Sequence, residues 1–445
     1  MRVFLPGPYD REIMRLALPA LGALAADPLV SLVDTAFVGR LGAEALAAVA
    51  VASAIFAVAF ALFNFLAYGT TPLVAREVGR GNIRAAGRMS MDAIYIGVTL
   101  GVASLIVLLA AGRPLLTAMG AEAGVVEESL TYLSIRAFAL PALMVVTVGH
   151  GVFRGFQDTR TPLVVTLGLN AVNLVLDPML IFGLGWGVAG AAVATVVAQW
   201  TGAVWFLALL WARREHMEIR LTLPTWVELR PLLGAGRALV IRTGSLLAVM
   251  TLATAVAARL GTTAVAAHQV MLQLWIFLAL VVDALAIAAQ AMVGRVIVED
   301  RVQARAISDR LLALGLLGGM ALAIAMAALA GWLPGLFTDD RSVIAATSTV
   351  YAFVVVMQPV NGIVFVWDGI AIGATAFDYL AWTMLASAVV AGAALLLVIP
   401  LGWGLAGVWW GLVVLMAARA ATLWWWYVRG PLGAGRDPAL SSPAA

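Results

Sequence analysis

Apolar residues run in long stretches along the chain, separated by short segments rich in arginine, glycine or proline. Each stretch matches the roughly 20 residues that a helix needs to cross a bilayer. Because the stretches do not alternate polar and apolar positions as membrane strands do, they predict helices rather than a barrel. The twelve predicted spans are 13–38, 45–73, 89–111, 128–152, 162–182, 188–211, 238–259, 264–293, 311–332, 343–370, 378–400 and 404–428.

The composition excludes several classes of protein. Hydrophobic residues make up 63% of the 445 residues and charged residues only 11%, whereas about a quarter of a soluble domain is charged. A soluble enzyme and a disordered chain are both excluded. The chain has no cysteine and only three widely separated histidines, so neither a cysteine metal site nor an HExxH motif exists.

Arginine placement predicts the orientation in the membrane. All 27 basic residues are arginine, and most of them fall in the connections of one predicted side. Such connections stay in the cytoplasm, so we expect both termini there. This distribution favours a membrane protein over a nucleic-acid-binding one. The exceptions are Arg40, Arg113, Arg259 and Arg341 on the opposite side, and Arg136 and Arg419 within spans.

The two halves of the chain resemble each other. Arg40-Leu41-Gly42 recurs as Arg259-Leu260-Gly261, and LGWGVAG at Leu184 recurs as LGWGLAG at Leu401. Gly151 and Gly155 correspond in the same way to Gly369 and Gly373, and all these matches lie at offsets of 217 to 219 residues. Equal orientation of the copies predicts a parallel repeat about a pseudo-twofold axis along the membrane normal. We therefore expect an amino-terminal lobe (1–211), a cytoplasmic linker (212–237), a carboxy-terminal lobe (238–428) and a cytoplasmic tail (429–445), with six helices in each lobe.

Three predicted spans of the first half carry polar stripes. Asp27, Ser31 and Asp34 lie on one face of the first span, because they are spaced i, i+4 and i+7. The fifth span has such a face with Thr166, Asn170, Asn173 and Asp177, and the sixth adds Thr195 and Gln199. A charge inside a bilayer costs about 2.5–3.5 kcal/mol or more. Acids within spans are therefore candidates for a functional site.

The second half lacks this polar cluster, although it keeps the shared glycines. The positions that correspond to Asp34, Asn173, Asp177 and Thr195 are Ala253, Val390, Ala394 and Leu412. Carboxylate, amide and hydroxyl oxygens suit a small hard cation such as Na⁺. Two nearby carboxylates can also hold a proton. The pattern predicts a proton or sodium site in the first half, and the alternative is a set of hydrogen-bonded polar pairs between helices.

A second group of candidates lies in the eighth predicted span. Asp283 falls in its middle and Gln290 lies two turns later on the same face. Asp283 could attract a cationic substrate or serve as a second coupling site. It could equally pair with an arginine such as Arg242.

The sequence resembles the multidrug and toxic compound extrusion (MATE) family. The resemblance rests on VDTAFVGRLGAEALAAVA from Val33, on the segment from Asn173 to Asp177-Pro178, and on the repeat. HQVMLQLWIFLALVVDALAIAAQAMVG from His268 and VWDGIAIGATAFDYLAWTM from Val366 are similar to the DinF subfamily. The resemblance extends over nearly the whole chain.

This resemblance implies export of organic, often cationic, compounds driven by inward movement of protons or sodium. It implies an ion-coupling site at Asp34, Asn173, Asp177 and Thr195, and a bend of the first helix at Pro19. Asp27 departs from the family pattern by adding an acid to the same helix face, and it puts the number of coupling ions in question. Asp27, Asn170, Gln199, Asp283 and Gln290 are the secondary candidates.

We therefore expect an all-α integral membrane exporter that works by alternating access, with no enzyme activity and no cofactor beyond the coupling ion. Its partners would be small organic molecules and membrane lipid, without nucleic acid, and the chain would be a monomer in a bacterial inner membrane. One alternative is a flippase for lipid-linked precursors with a related two-lobe architecture. Another is an integral membrane lipid-modifying enzyme, which the absence of DDxxD, HExxH and cysteine disfavours.

Overall fold

The computed structural model describes residues 6–119 and 123–433, and every regular element within these ranges is helical. The α-helices are α1 (Asp10–Gly39), α2 (Ala43–Phe63), α3 (Phe65–Gly79), α4 (Ile83–Ala118), α5 (Ala123–Ala137), α6 (Leu140–Gly155), α7 (Arg160–Pro178), α8 (Gly187–Ala212), α9 (Trp226–Arg259), α10 (Thr262–Val296), α11 (Arg301–Leu329), α12 (Arg341–Gly373), α13 (Phe377–Leu396) and α14 (Gly404–Arg429). A π-helical turn, Met179–Gly183, continues α7, and a 3-10 turn, Leu333–Leu336, follows α11.

The all-helical membrane fold predicted from the sequence is confirmed. Among the described helices, ten are each long and apolar enough to cross a membrane, and α5 with α6 adds an eleventh span as a pair bent by 50°. The predicted span 45–73 is divided, because α2 ends at Phe63 and α3 begins at Phe65. Both pieces are apolar, so hydropathy alone does not reveal the break.

The described residues form two compact units. The first comprises Arg15–Arg237, and the second comprises the residues after Arg237 together with those before Arg15. The division falls inside α9, and the connection 212–237 is helical from Trp226 onward.

Glycines that correspond in the repeat make corresponding contacts within the two units. A Cβ on Gly151 would lie 3.0 Å from the backbone oxygen of Ala67, and a Cβ on Gly369 would lie 2.5 Å from that of Ala286. Ala67 and Ala286 are themselves 219 residues apart. Small residues allow membrane helices to approach this closely. The two units therefore share a scheme of helix packing, which explains why the repeat kept these glycines.

The near-identical heptapeptides have a backbone explanation. Gly185 lies just before α8 and Gly187 begins it, with φ angles of 69° and 54°, and Gly402 and Gly404 take the same places at α14, with φ angles of 65° and 59°. Residues with a Cβ rarely adopt this left-handed conformation, whereas glycine adopts it without penalty. The LGWG pattern is therefore required by a sharp turn before a helix in both units.

Ion pairs hold the first turn of α1 within the second unit. Arg310 binds both carboxylate oxygens of Asp10 at 2.6 Å, and Arg295 donates to Glu12 at 2.7 Å. Two-point contacts between arginine and a carboxylate are stronger than single ones. The rest of α1, from Arg15 onward, belongs to the first unit.

Candidate functional site

A polar cavity of about 400 Å³ lies within the first unit, lined by α1, α2, α5, α6, α7 and α8. This volume is in the range of sites for small organic molecules. The four predicted coupling residues, Asp34, Asn173, Asp177 and Thr195, all line it. Three secondary candidates, Asp27, Asn170 and Gln199, line it as well. The structure thus brings together the polar stripes that sequence spacing places on three separate helices.

The stripes of α1 and α7 face each other in register. The amide nitrogen of Asn170 donates to Asp27 at 2.8 Å. Seven residues further along both helices, the carboxyl groups of Asp34 and Asp177 lie within hydrogen-bonding range of each other. Seven residues make nearly two turns of a helix, so both contacts fall on the same helix faces. Helices α1 and α7 therefore place acidic side chains in the cavity at two positions, about two helical turns apart.

The contact between Asp34 and Asp177 is one that a shared proton would stabilise. Two carboxylates have only acceptors, so a hydrogen bond between them forms when one carboxyl group is protonated. Asp177 is buried, and its Oδ1 atom has no hydrogen-bond partner in the part of the chain that the structure describes. Asn173, with its amide nitrogen turned toward Asp34, donates to both oxygens at 3.3 and 3.2 Å.

Two residues of α8 complete this side of the cavity. The hydroxyl of Thr195 donates to the backbone oxygen of Ala191 at 3.0 Å, which leaves its oxygen lone pairs free to accept. The side-chain oxygen of Gln199 is buried and has no hydrogen-bond partner among the described residues. A molecule bound in the cavity can donate hydrogen bonds to these two oxygens.

Arg136 places a positive charge in the cavity. It donates to the Ser53 hydroxyl at 3.0 Å and to the Tyr132 hydroxyl at 2.7 Å, and it stacks 4.7 Å from the ring centre of Phe56. Its charge acts on Asp34 and Asp177 without a direct ion pair between described residues. The sequence places this arginine within a span but does not reveal its contacts on α2, because Ser53 and Phe56 are far from it in the chain.

A polar chain continues along α7 toward its amino end. His150 lies with Nε2 at 3.1 Å from the Thr166 hydroxyl and Nδ1 at 3.4 Å from a guanidinium nitrogen of Arg154. Arginine only donates, so Nδ1 accepts and the Nε2–H donates to Thr166. These two hydrogen bonds keep the His150 imidazole neutral and orient the polar stripe of α7. No local motif marks His150 in the sequence.

The candidates of the second half lie elsewhere. Asp283 is half-buried and Gln290 is buried, both on α10 in the second unit, and neither lines the cavity. The buried acid Asp368 lies between two arginines of this unit. It binds Arg419 at 2.5 Å and also contacts Arg242. This cluster is a charge network in the packed interior of the second unit, in which one carboxylate pairs with two arginines.

Helix α1 continues through both Pro19 and Pro28 as one element. Each proline removes one backbone hydrogen bond of the helix. Pro19 therefore marks a weak point of α1, and its bending remains a prediction.

The side chains at this level of the cavity can serve a proton or a sodium ion. The carboxyl groups of Asp34 and Asp177 can share a proton. The Thr195 hydroxyl directs its hydrogen at its own helix, so its oxygen is also available to a small hard cation. Within the described ranges, no group of three or more acidic, histidine or cysteine side chains could hold a metal ion.

Comparison with known proteins identifies the family. A family profile described as MatE matches residues 19–179 and again residues 243–403, one match in each half. Protein DETOXIFICATION 44, chloroplastic, of Arabidopsis thaliana is 36% identical over 428 residues, which cover 91% of this chain and 80% of that protein. DNA damage-inducible protein F of Escherichia coli is 32% identical over 296 residues, which cover 64% of this chain and 63% of that protein.

Solved structures agree on the fold. A crystal structure of a MATE protein in the bent conformation superimposes with a TM-score of 0.89 at 22% identity, covering 95% of this chain and 96% of that one. A MOP superfamily transporter from Pyrococcus furiosus gives a TM-score of 0.88 at 22% identity, covering 96% and 97%. The chain belongs to the MatE family of multidrug and toxin efflux transporters, which are not enzymes.

Proposed function

We propose that this chain is a secondary active antiporter that exports organic cations in exchange for protons by alternating access. The observation that carries the proposal is the Asp34–Asp177 carboxyl pair, which lines a cavity of the first unit. Driving a cycle requires that the coupling ion bind two conformations unequally. A carboxyl pair whose proton depends on the packing of α1 against α7 meets that requirement. Asn173 and Thr195 position the pair and complete the site.

Protons are favoured over sodium as the coupling ion. The contact between the carboxyl groups of Asp34 and Asp177 supports a site that holds a proton, because two carboxylates this close repel each other unless they share one. Sodium bound by the side-chain oxygens of Asp34, Asn173, Asp177 and Thr195 is the alternative.

The charges of the cavity favour cationic substrates. Once the pair has lost its proton, Asp34 and Asp177 contribute two negative charges and Arg136 one positive charge. One negative charge remains, so a monovalent cation neutralises the cavity when the proton has left, as an exchange requires. Apolar walls that include Val49, Phe56 and Leu143 suit the hydrophobic part of an amphipathic molecule.

We further propose that the two halves, 1–211 and 238–428, move as lobes, with 212–237 as the connection and 429–445 as a tail. Placement in a bacterial inner membrane with both termini in the cytoplasm is supported by the arginine distribution. We also propose that the chain acts as a monomer, because Asp34, Asn173, Asp177 and Thr195 all line one cavity of its first unit.

The experiment imposes proton and sodium gradients separately on reconstituted vesicles and follows export of a cationic dye. The proton gradient should drive export by the unmodified protein, and Asp34→Asn should abolish that export. Asp92→Asn is the matched control, since Asp92 is buried in α4 of the same unit but does not line the cavity. Normal proton-driven export by Asp34→Asn would refute the site. Export driven by sodium alone would refute the choice of ion.

A further inference from the structure

Four apolar side chains are strongly exposed just before and at the start of α9. Leu221, Leu223, Trp226 and Val227 have 67%, 84%, 72% and 78% of their surface accessible. We call them the linker face. Leu221 and Leu223 precede α9, and Trp226 and Val227 form its first turn, at one end of a helix of 34 residues that is longer than the roughly 20 residues needed to cross the hydrocarbon core. Contiguous exposed apolar surface marks an interaction site.

The residues on either side of the linker face are fixed to the first turns of α4. Met217 is buried, and its backbone packs directly against Gly87. Glu228 forms an ion pair with Arg88. Gly87 and Arg88 lie near the start of α4, at the arginine-rich end of the first unit. The linker face therefore lies at the level where the helix bundle meets the membrane surface.

The beginning of α9 has one packed face and one open face. The Thr225 backbone N–H donates to the Glu228 side chain at 2.8 Å, and this hydrogen bond caps the amino end of α9. Leu232 and Ala235 are buried against the bundle. Trp226 and Arg230 lie one turn apart on the opposite, exposed face. The first turns of α9 are therefore amphipathic, with an open face of the kind that contacts a membrane interface.

Two arginines flank the linker face. Arg220 and Arg230 are exposed, and neither forms an ion pair in the portion of the chain covered by the structure. Tryptophan and arginine are both enriched at membrane interfaces, where arginine can reach lipid phosphates. Two copies of this face would bring Arg220 and Arg230 of one copy against the same arginines of the other, and this repulsion disfavours self-association. Anionic lipid supplies both the apolar layer and the negative charge.

We propose that the linker face binds the lipid surface of the arginine-rich leaflet, with Leu223, Trp226 and Val227 among the headgroups and Arg220 and Arg230 on phosphates of anionic lipid. Guanidinium groups bind phosphate through two parallel hydrogen bonds. The contact holds the connection between α8 and α9 against the membrane, and it is independent of the ion that drives transport.

The chain contains no cysteine, so a single introduced cysteine can be labelled cleanly. Leu223→Cys is labelled with an environment-sensitive fluorophore in the full-length protein, in nanodiscs of phosphatidylcholine with or without phosphatidylglycerol. Glu215→Cys is the matched control in the same linker, since the Glu215 side chain is 91% exposed and carries a charge. Aqueous iodide and brominated lipid report contact with water and with the bilayer.

The label at Leu223→Cys should be shielded from iodide and quenched by brominated lipid, more strongly with phosphatidylglycerol, while the label at Glu215→Cys stays in water. Adding Arg220→Gln and Arg230→Gln should weaken the contact by about fivefold per arginine. Equal iodide quenching at the two positions would overturn the proposal. Shielding without quenching by brominated lipid would also overturn it, because a protein would then cover the face. Lipid contact that is indifferent to phosphatidylglycerol and to both arginines would refute recognition of anionic lipid.

Discussion

Replacing Asp177 by asparagine should uncouple export from the pH gradient. The asparagine amide has nearly the shape of the carboxyl group and can donate to Asp34 without holding a titratable proton. Asp177→Asn therefore keeps a hydrogen bond at this position while removing the exchangeable proton. Arg136, Asp27 and the apolar walls are unchanged, so the cavity should still bind a cation.

The charges in the cavity determine how large a substrate gradient a given pH difference can sustain. When the pair releases its shared proton, one negative charge remains in the cavity for one monovalent cation. Exchange of one proton for one monovalent cation moves no net charge, so the membrane potential adds nothing to the driving force. A pH difference of one unit is then worth about 1.4 kcal/mol, which sustains about a tenfold concentration ratio of substrate.

The assay measures steady-state accumulation of radiolabelled tetraphenylphosphonium in vesicles with an acidic interior and the membrane potential clamped at zero. The unmodified protein should reach a ratio of about ten for one pH unit, and Asp177→Asn should stay near one. A ratio near ten with Asp177→Asn would refute the reasoning, since the coupling proton would then reside elsewhere. A ratio of about one hundred in the unmodified protein would also refute it, because two protons would be exchanged.

Three further predictions concern stability. Asp368→Asn should lower the free energy of unfolding in detergent by about 3–5 kcal/mol, because it leaves buried arginines without their carboxylate, and an unchanged denaturation curve would contradict this. Gly362→Ala should destabilise the fold by about 1–3 kcal/mol, because the added Cβ would meet the backbone of Gly315. Gly318→Ala on α11 is the control and should be neutral, because its Cβ meets nothing within 4 Å. Equal melting temperatures of the two variants would refute the packing argument. Burial raises the pKa of Asp158, but hydrogen bonds from Thr161 and Arg213 outweigh it and hold the pKa below 3.8. The resulting stabilisation should be full above that value and lost as the pH falls through the lowered pKa, and Asp158→Asn should remove this acid dependence of unfolding.

Much of the candidate site could be predicted from the sequence because helical periodicity is local. Spacing alone places Asp27 with Asp34, and Asn170 with Asp177, on single helix faces. The internal repeat distinguishes candidate functional residues from packing residues, since the second half lacks the polar cluster but retains the glycines that pack helices. A span of apolar residues also has only one fold available in a bilayer, because every backbone polar group must be satisfied within the segment.

Contacts between distant residues were decided by the tertiary structure. Hydropathy does not reveal the division between α2 and α3 or the bend between α5 and α6, because each piece is apolar on both sides of the break. Arg136 faces the cavity because Ser53 and Tyr132 hold it there, and Asp368 lies between arginines of two other helices. The sequence by itself determined which face of each helix is polar, because that depends on the residues of one helix. Which faces meet depends on packing among many helices, and only the three-dimensional arrangement determines it.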